Sequence, residues 1–374
     1  MFLTMSIKLE IKAETLYWGH KLVTAFPSST TEVQILSRLQ DTEHLMVDFW
    51  RPPSDPGKVV DMRVSPDDFV KLTESLNRYK IRHKVQIFDL QAIINRQDDV
   101  SETSSWYNKY HTLDEIVSWM KNITHTSNVV RMSSLGKSHE NREQYILQII
   151  LQYGKDPTVT AMMDKVDLAI VPVLNVDGYV YTWTNDRLWR KNRSPNKNSA
   201  CFGTDLNRNW KFAWGGSGAS NNTCSSVYQG VSAMCENEVQ NVDRFLKSQQ
   251  KRLVGFLDVH NYSQMWMIPW GYVKENIKDY DELIRVGKVA VDAIKSMEFN
   301  TTYQLGSSSG LLYVSCGSLH DYVYGSLGVK YAFAVELRDK GFFGFILPAS
   351  LIEPSAKELF EGLKVMVREM TLMA

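Results

Sequence analysis

Between Gln91 and Ser105 the chain turns polar, with Asp98, Asp99, Ser101, Glu102, Thr103, Ser104 and Ser105 in close succession. A run of this kind does not belong in a packed element. It reads as a linker, 91–105, and it divides the 374 residues into a short unit and a long one. With 44 % hydrophobic and 22 % charged residues, the chain has enough apolar surface for a sizeable core.

The short unit, 21–90, follows the order strand, helix, strand, strand, helix, strand. Val33, Ile35, Leu36 and Leu39 are spaced as one helix face. Leu45 to Trp50 and Val59 to Val64 read as the middle strands, and Phe69, Leu72 and Leu76 mark the second helix. Val85, Ile87 and Phe88 close the unit as a strand. This order predicts a small ferredoxin-like α+β domain. The long unit, 106–374, opens with a capping box at Thr112 and Glu115. Beyond it, buried-looking strands at Leu168 to Leu174 and Val254 to Val259 alternate with helices at Glu238 to Lys247 and Leu283 to Met297. The pattern is that of an α/β domain. A last helix is expected from Ser355, capped by Glu358.

Forty-two basic residues balance forty-two acidic ones, so no general field draws the chain onto nucleic acid or anionic lipid. No stretch approaches the roughly 20 apolar residues of a membrane span. Residues 1–20 form an atypical leader, because charges interrupt what would be the apolar core of a secretory signal. The cysteines Cys201, Cys224, Cys235 and Cys316 have no close Cys-x-x-Cys spacing, and one or two disulfides are open to them. Sequons begin at Asn122, Asn192, Asn221, Asn261 and Asn300 and would permit glycosylation of a secreted protein.

Several residues carry chemistry. His260 ends an apolar strand, at the carboxyl edge where ligands of open α/β sheets gather, although a lone histidine there is more often structural. Alternation puts Glu336 on one face with Ala332 and Ala334, free to meet a ligand or to pair with Arg338. Asn207 and Arg208 offer an amide and a guanidinium side by side, suited to a carboxylate. The basic run Arg187 to Arg193 is an anion site or a solvated loop, and Tyr313 by default is a packed aromatic.

Taken in order, these pieces resemble the pancreatic-type zinc metallocarboxypeptidases, the carboxypeptidase A and B family, in zymogen form. Val47 to Arg51 and Val60 to Val64 resemble the activation domain, and Tyr110 to Ile116 the start of the catalytic domain. Pro172 to Tyr179, Arg187 to Arg193, Asp205 to Trp210, His260 to Gln264, Glu336 to Asp339 and Gly344 to Pro348 continue the likeness. It implies a mixed-sheet carboxypeptidase-like catalytic domain, a zinc cofactor, a monomeric secreted proenzyme, and removal of the C-terminal residue of peptides by metal-activated water. By position, His260 matches a zinc ligand, Glu336 the general base and Arg190 the oxyanion-stabilising residue. Asn207, Arg208 and Tyr313 match the clamp on the terminal carboxylate, and Arg187 an auxiliary arginine. Asp205 matches the partner that orients the first ligand histidine, and Cys201 and Cys224 the family disulfide. The position of His320 lies at the floor of the side-chain pocket and predicts aromatic or polar C-termini. Arg96, the only basic residue between Leu90 and Trp106, would admit a trypsin-like activating protease.

One part of the family pattern is missing. After the strand at Gln144 to Ile149 the family has a loop, a strand, the His-x-x-Glu turn and a long helix, whereas here Ile150 leads directly into Tyr153 to Pro157. The resemblance implies that about 35 residues are absent near 149–150, with two of the three ligands a catalytic zinc needs. A skipped exon or faulty gene model would account for this. Two readings follow: an active zinc carboxypeptidase proenzyme by lineage, or a catalytically impaired product that at most binds peptide C-termini. The second is expected of this chain. His139, Glu140 and Glu143 are not expected to replace the ligands, since they precede the strand.

Overall fold

The computed structural model describes residues 14–39, 43–97, 105–149 and 157–372. Most of the leader and the junction after Ile149 lie outside the described residues. The short unit runs β1 (Lys21–Ala25), α1 (Thr30–Ser37), β2 (Val47–Arg51), β3 (Val60–Val64), α2 (Pro66–Arg78) and β4 (His83–Ile87). Its strands pair antiparallel in the order β2-β3-β1-β4, the ferredoxin-like arrangement. Ser29 and Ser65 cap the two helices by accepting from the backbone N–H of Glu32 and Asp68. Val23, Leu36, Met62, Leu72 and Leu76 fill the space between helices and sheet.

Two expectations for this unit change. Phe88 lies beyond β4 and is 69 % exposed. The start of the expected linker is helical: α3 (Leu90–Ile94) is capped by Asp89, which accepts from Ala92 N–H. Leu90 is buried against Tyr17, Leu22 and Trp50, and Ile93 and Ile94 pack on the same cluster. The polar residues that follow obscured this apolar turn.

The long unit continues with α4 (Leu113–Thr126), β5 (Val130–Lys137), β6 (Glu143–Ile149), α5 (Pro157–Met163), β7 (Leu168–Ile170) and α6 (Val176–Thr184). It then runs through α7 (Asn237–Gln249), β8 (Gly255–His260), β9 (Met265–Ile268), α8 (Tyr280–Ser296), β10 (Gln304–Ser307) and α9 (Ser308–Leu311). Last come α10 (Leu319–Gly325), β11 (Tyr331–Glu336) and α11 (Ile352–Leu372). The capping box of Thr112 and Glu115 is formed. One sheet has the order β10-β9-β11-β8 and mixes parallel with antiparallel pairs. A second, antiparallel sheet has the order β5-β6-β7. Trp266, Phe333, Leu283, Ala290, Ile294 and Met366 form the core where α8 and α11 cover the larger sheet.

The strands read as buried from their apolar runs are not fully covered. β7 keeps only three residues, and Ile170 is 44 %, Val254 40 % and Val259 47 % exposed. Each strand ends its sheet, with no ladder on its outer side among the described residues. Of the sequon asparagines, Asn192 is fully buried, donating to Glu236 and Glu238, so it is closed to glycosylation.

The final helix begins at Ile352 rather than Ser355, whose hydroxyl donates back to the Leu351 carbonyl. Glu358 is therefore mid-helix, and its buried carboxylate meets the guanidinium of Arg338. Removing one partner of a buried pair leaves the other uncompensated. Glu358→Ala should cost about 3–5 kcal/mol in denaturant unfolding, while Lys357→Ala, on the exposed face of α11, should leave the midpoint unchanged.

Burial pushes the Glu238 carboxyl up to about 7, with Asp177 nearby adding to the shift. A carboxyl raised on folding favours the fold most below its ordinary range, and that stability is lost as pH rises through about 7. Glu238→Gln should flatten the fall of Tm between about pH 5 and pH 8; an unchanged slope would count against this assignment.

Candidate functional site

The larger sheet places its chemistry at one end. In the parallel ladder, Glu336 of β11 lies directly opposite His260 of β8. Both side chains therefore emerge at the carboxyl ends of adjacent strands, where loops from elsewhere can reach them. Glu336 does not pair with Arg338, which is taken by Glu358. Its Oε2 is buried with no hydrogen-bond partner among the described residues. Burial raises the Glu336 carboxyl to about 7, against the pull of His260 and Arg190.

His260 has a partner that sequence reasoning missed. Asp258, two residues earlier on the same strand face, places Oδ2 2.9 Å from His260 Nε2. Strand periodicity could have revealed it. Burial lowers and Asp258 raises the imidazole, and the balance brings it to about 9. Asp258 itself is pushed up by burial but held below its usual range by His260.

Asn207 and Arg208 sit on a short 3-10 turn, Leu206–Arg208, capped by Asp205, whose Oδ1 accepts from Asn207 N–H at 3.0 Å. Asn207 Oδ1 accepts from Leu319 N–H at 2.9 Å, which aims Nδ2 toward His260 Nε2, 3.4 Å away. Arg208 is buried and donates to the carbonyls of Gly218 and Asn207 and to the Tyr313 hydroxyl, the last at 3.3 Å. Gly317, with φ +74, allows this packing, because a Cβ there would stand 2.4 Å from the Arg208 carbonyl oxygen. Tyr313 is thus part of the cluster rather than a packed aromatic.

Arg190 reaches the same cluster and grips Asp205 through Nε at 3.0 Å and Nη2 at 2.9 Å. Asp205, expected to orient a histidine, is engaged by an arginine instead. Burial pushes Asp205 up, yet Arg190 and Arg208 hold it below the usual range. Arg193, in the same basic run, lies over the rings of Tyr181 and Trp189, so that part of the run is packed rather than solvated.

Arg187 donates to Gln97 Oε1 and the Phe345 carbonyl. His320 is buried on α10, and neither ring nitrogen has a hydrogen-bond partner among the described residues. The adjacent Asp321 accepts from Gly271 and Tyr272 N–H. Glu140 pairs with Arg142, and Glu143 lies near Lys137, so neither joins His260. No three His, Cys, Asp or Glu side chains among the described residues converge to hold a metal ion.

The short unit docks beside this cluster. Lys58 donates to the carbonyls of Gly310 and Leu312, at 2.7 and 3.0 Å, immediately before Tyr313. Asp61 is buried, receives Arg51 Nε at 2.6 Å and accepts from the Tyr262 hydroxyl at 2.7 Å. Trp50 packs on Tyr262 and Phe345. Cys201 and Cys224 form a disulfide, while Cys235 and Cys316 are free thiols.

Comparison with known proteins agrees with this layout. The zinc carboxypeptidase family matches residues 144–362, and the carboxypeptidase activation peptide family matches residues 23–97. Carboxypeptidase A1 of Bos taurus is 35 % identical, covering 92 % of this chain and 92 % of its own length. Mast cell carboxypeptidase A of Mus musculus is 34 % identical, covering 87 % and 88 %. A crystal structure of thrombin activatable fibrinolysis inhibitor superposes with a TM-score of 0.86 at 32 % identity, over 94 % of this chain and 99 % of that one. The bovine alignment runs over 388 positions, more than the chain's own length. Since 92 % of 374 residues is about 344, about 44 aligned positions have no residue here. By sequence, by fold and by the activation peptide that precedes its catalytic domain, this chain belongs to the zinc carboxypeptidase family in its proenzyme form.

Proposed function

We propose that this chain captures the free C-terminal carboxylate of a peptide, without the metal cradle that hydrolysis would require. The observation that carries this reading is the convergence of Asn207 Nδ2, Arg208 and the Tyr313 hydroxyl beside Arg190. Arg208 spends three N–H groups on Gly218, Asn207 and Tyr313, which leaves one on each terminal nitrogen for a carboxylate.

The family's cofactor is zinc, and a catalytic zinc takes three protein ligands. The donor set does not fit it: His260 Nε2 faces Asp258, and no third or second ligand converges among the described residues. Residues 150–156 contribute no His, Cys or Glu and a single Asp, Asp156, by sequence. The surplus of aligned positions in the bovine relative is of the size of the segment we infer to be missing near 149–150. We therefore derive no hydrolytic step. Removal of the C-terminal residue remains the activity of the lineage, and this chain is an impaired isoform or a product of a skipped exon or faulty gene model.

The pocket floor at His320 favours aromatic or polar C-terminal side chains. Lys58 and Asp61 make the short unit a brace on the loops beside Tyr313 and His260, consistent with a proenzyme whose site opens after proteolysis. Arg96 is exposed and open to a trypsin-like protease, but the next residue, Gln97, is buried and bonded to Arg187. The disulfide suits an extracellular location.

A peptide ending in Phe with a free carboxylate should bind by calorimetry, and amidation of that end or Arg208→Ala should weaken it about tenfold or more. Equal binding of acid and amide would sink the proposal. Elemental analysis after dialysis against trace zinc should find near zero metal per chain, and about one zinc would overturn the donor-set argument. Among peptides ending in Phe, Lys and Glu, a preference for Lys would contradict the role given to His320. Lys58→Ala should raise the affinity of the uncut protein by freeing the loop before Tyr313.

A further inference from the structure

We propose that Glu238 is a positioning residue for the carboxylate clamp, and that loss of its proton loosens the segment from Arg190 to Arg208. The consequence for peptides rests on the capture reading above, whereas the ordering of the segment does not.

The links from Glu238 to the clamp run through Asn192. This residue is fully buried, and its Nδ2 donates to Glu236 Oε2 at 2.7 Å and to Glu238 Oε2 at 3.2 Å, which spends both N–H groups of the amide. Its Oδ1 accepts from Thr204 N–H at 2.8 Å, and its own backbone N–H donates to the Thr204 carbonyl at 3.0 Å. Thr204 immediately precedes Asp205, and Asp205 is gripped by Arg190, two residues before Asn192. At the far end, Glu236 N–H donates to Asn209 Oδ1 at 3.3 Å, one residue after Arg208. The start of α7 therefore braces both ends of the clamp segment.

The acids gathered there leave Glu238 without a counter-charge. Asp177 of α6 is paired with Arg142 at 2.8 Å and accepts from the Ser138 hydroxyl and Glu140 N–H. Arg142 also meets Glu140. Glu236 accepts from Asn192 and from the Cys235 thiol. Glu238 is fully buried, and burial, with Asp177 and Glu236 adding to it, brings the carboxyl up to about 7. Its Oε1 has no hydrogen-bond partner among the described residues, and neither has Oε1 of Gln144 on β6, whose Nε2 donates to the Glu238 carbonyl at 3.3 Å. A proton on Glu238 adds a donor where these buried oxygens offer only acceptors. Above that pH the carboxylate is a buried charge with two acidic neighbours, and one neutral N–H does not offset the cost. Relief comes from turning toward solvent, which breaks the bond to Asn192 and releases the anchor on Thr204.

The test follows hydrogen exchange of the full chain, without peptide, at pH 6 and pH 8, with the intrinsic rate at each pH divided out. Between these values protection at 203–209 should fall by about threefold or more beyond any fall at 331–336 of β11. Glu238→Gln, which keeps the shape and removes the charge, should abolish that excess. Calorimetry with a peptide ending in Phe gives a second readout, in which the affinity of Glu238→Gln relative to the unaltered chain should rise about threefold or more from pH 6 to pH 8. Glu336, also raised to about 7, is present in both proteins, so its titration cancels in that ratio. An equal fall in both segments would make Glu238 a contributor to overall stability alone and overturn the proposal, as would an excess that persists in the glutamine variant. A peptide that binds neither protein would sink the capture reading, while the exchange result would still decide this one.

Discussion

The parallel register of β8 with β11 is the constraint on which the site depends. It sets Glu336 opposite His260, and a slip of one residue would turn every side chain of β11 to the other face. The register is held firmly because β11 lies between β8 and β9, with Ala332, Phe333, Ala334 and Val335 all buried. Strand ends in a rigid sheet are good mounts for functional groups, since they inherit the sheet's order. Asn207 and Arg208, by contrast, come from a short turn. Their precision derives from specific bonds, such as Leu319 N–H on Asn207 and Gly317 against Arg208.

Local pattern made much of the fold legible. The strand-helix-strand-strand-helix-strand order and the capping box at Thr112 needed only short-range spacing, and the structure contains both. Errors arose where a distant residue competed for a local one. Glu358 satisfied a capping pattern at Ser355, yet Arg338, twenty residues away, offers a buried carboxylate a stronger partner. Likewise Asp205 was assigned a histidine and holds Arg190. At the site, the strand end at His260 and the pair Asn207 and Arg208 were legible as residue types. Their meeting with Tyr313 depended on chain paths that periodicity does not describe. Asp258 could have been read from alternation, but its neighbours in sequence are apolar and drew the segment into the core.

The site is also an alternating row of charges. Asp258 faces His260, Glu336 stands beside His260, and Arg190 bridges toward Asp205. Asp258 and Asp205 each have a cation near them, which is how buried ionised groups persist in a low-dielectric setting, whereas at Glu336 burial outweighs the cations. Asp61 of the short unit repeats the arrangement with Arg51 and the Tyr262 hydroxyl. The docking of that unit therefore rests on a desolvated polar network as well as on Trp50.

The Cys201–Cys224 bond closes a ring of 23 residues' separation, and Asp205, Asn207 and Arg208 all lie inside it. Such a crosslink removes about 3 kcal/mol of disorder from the unfolded chain on the loop-entropy view. That gain belongs to the folding of the whole unit, and in the folded chain the crosslink ties together the ends of the segment that carries Asp205, Asn207 and Arg208. The two halves of the site are thus held by different means, one by a covalent tether and one by a strand ladder. Reduction of the bond would free the ends of that segment while leaving the ladder of β8 with β11 its backbone pairing.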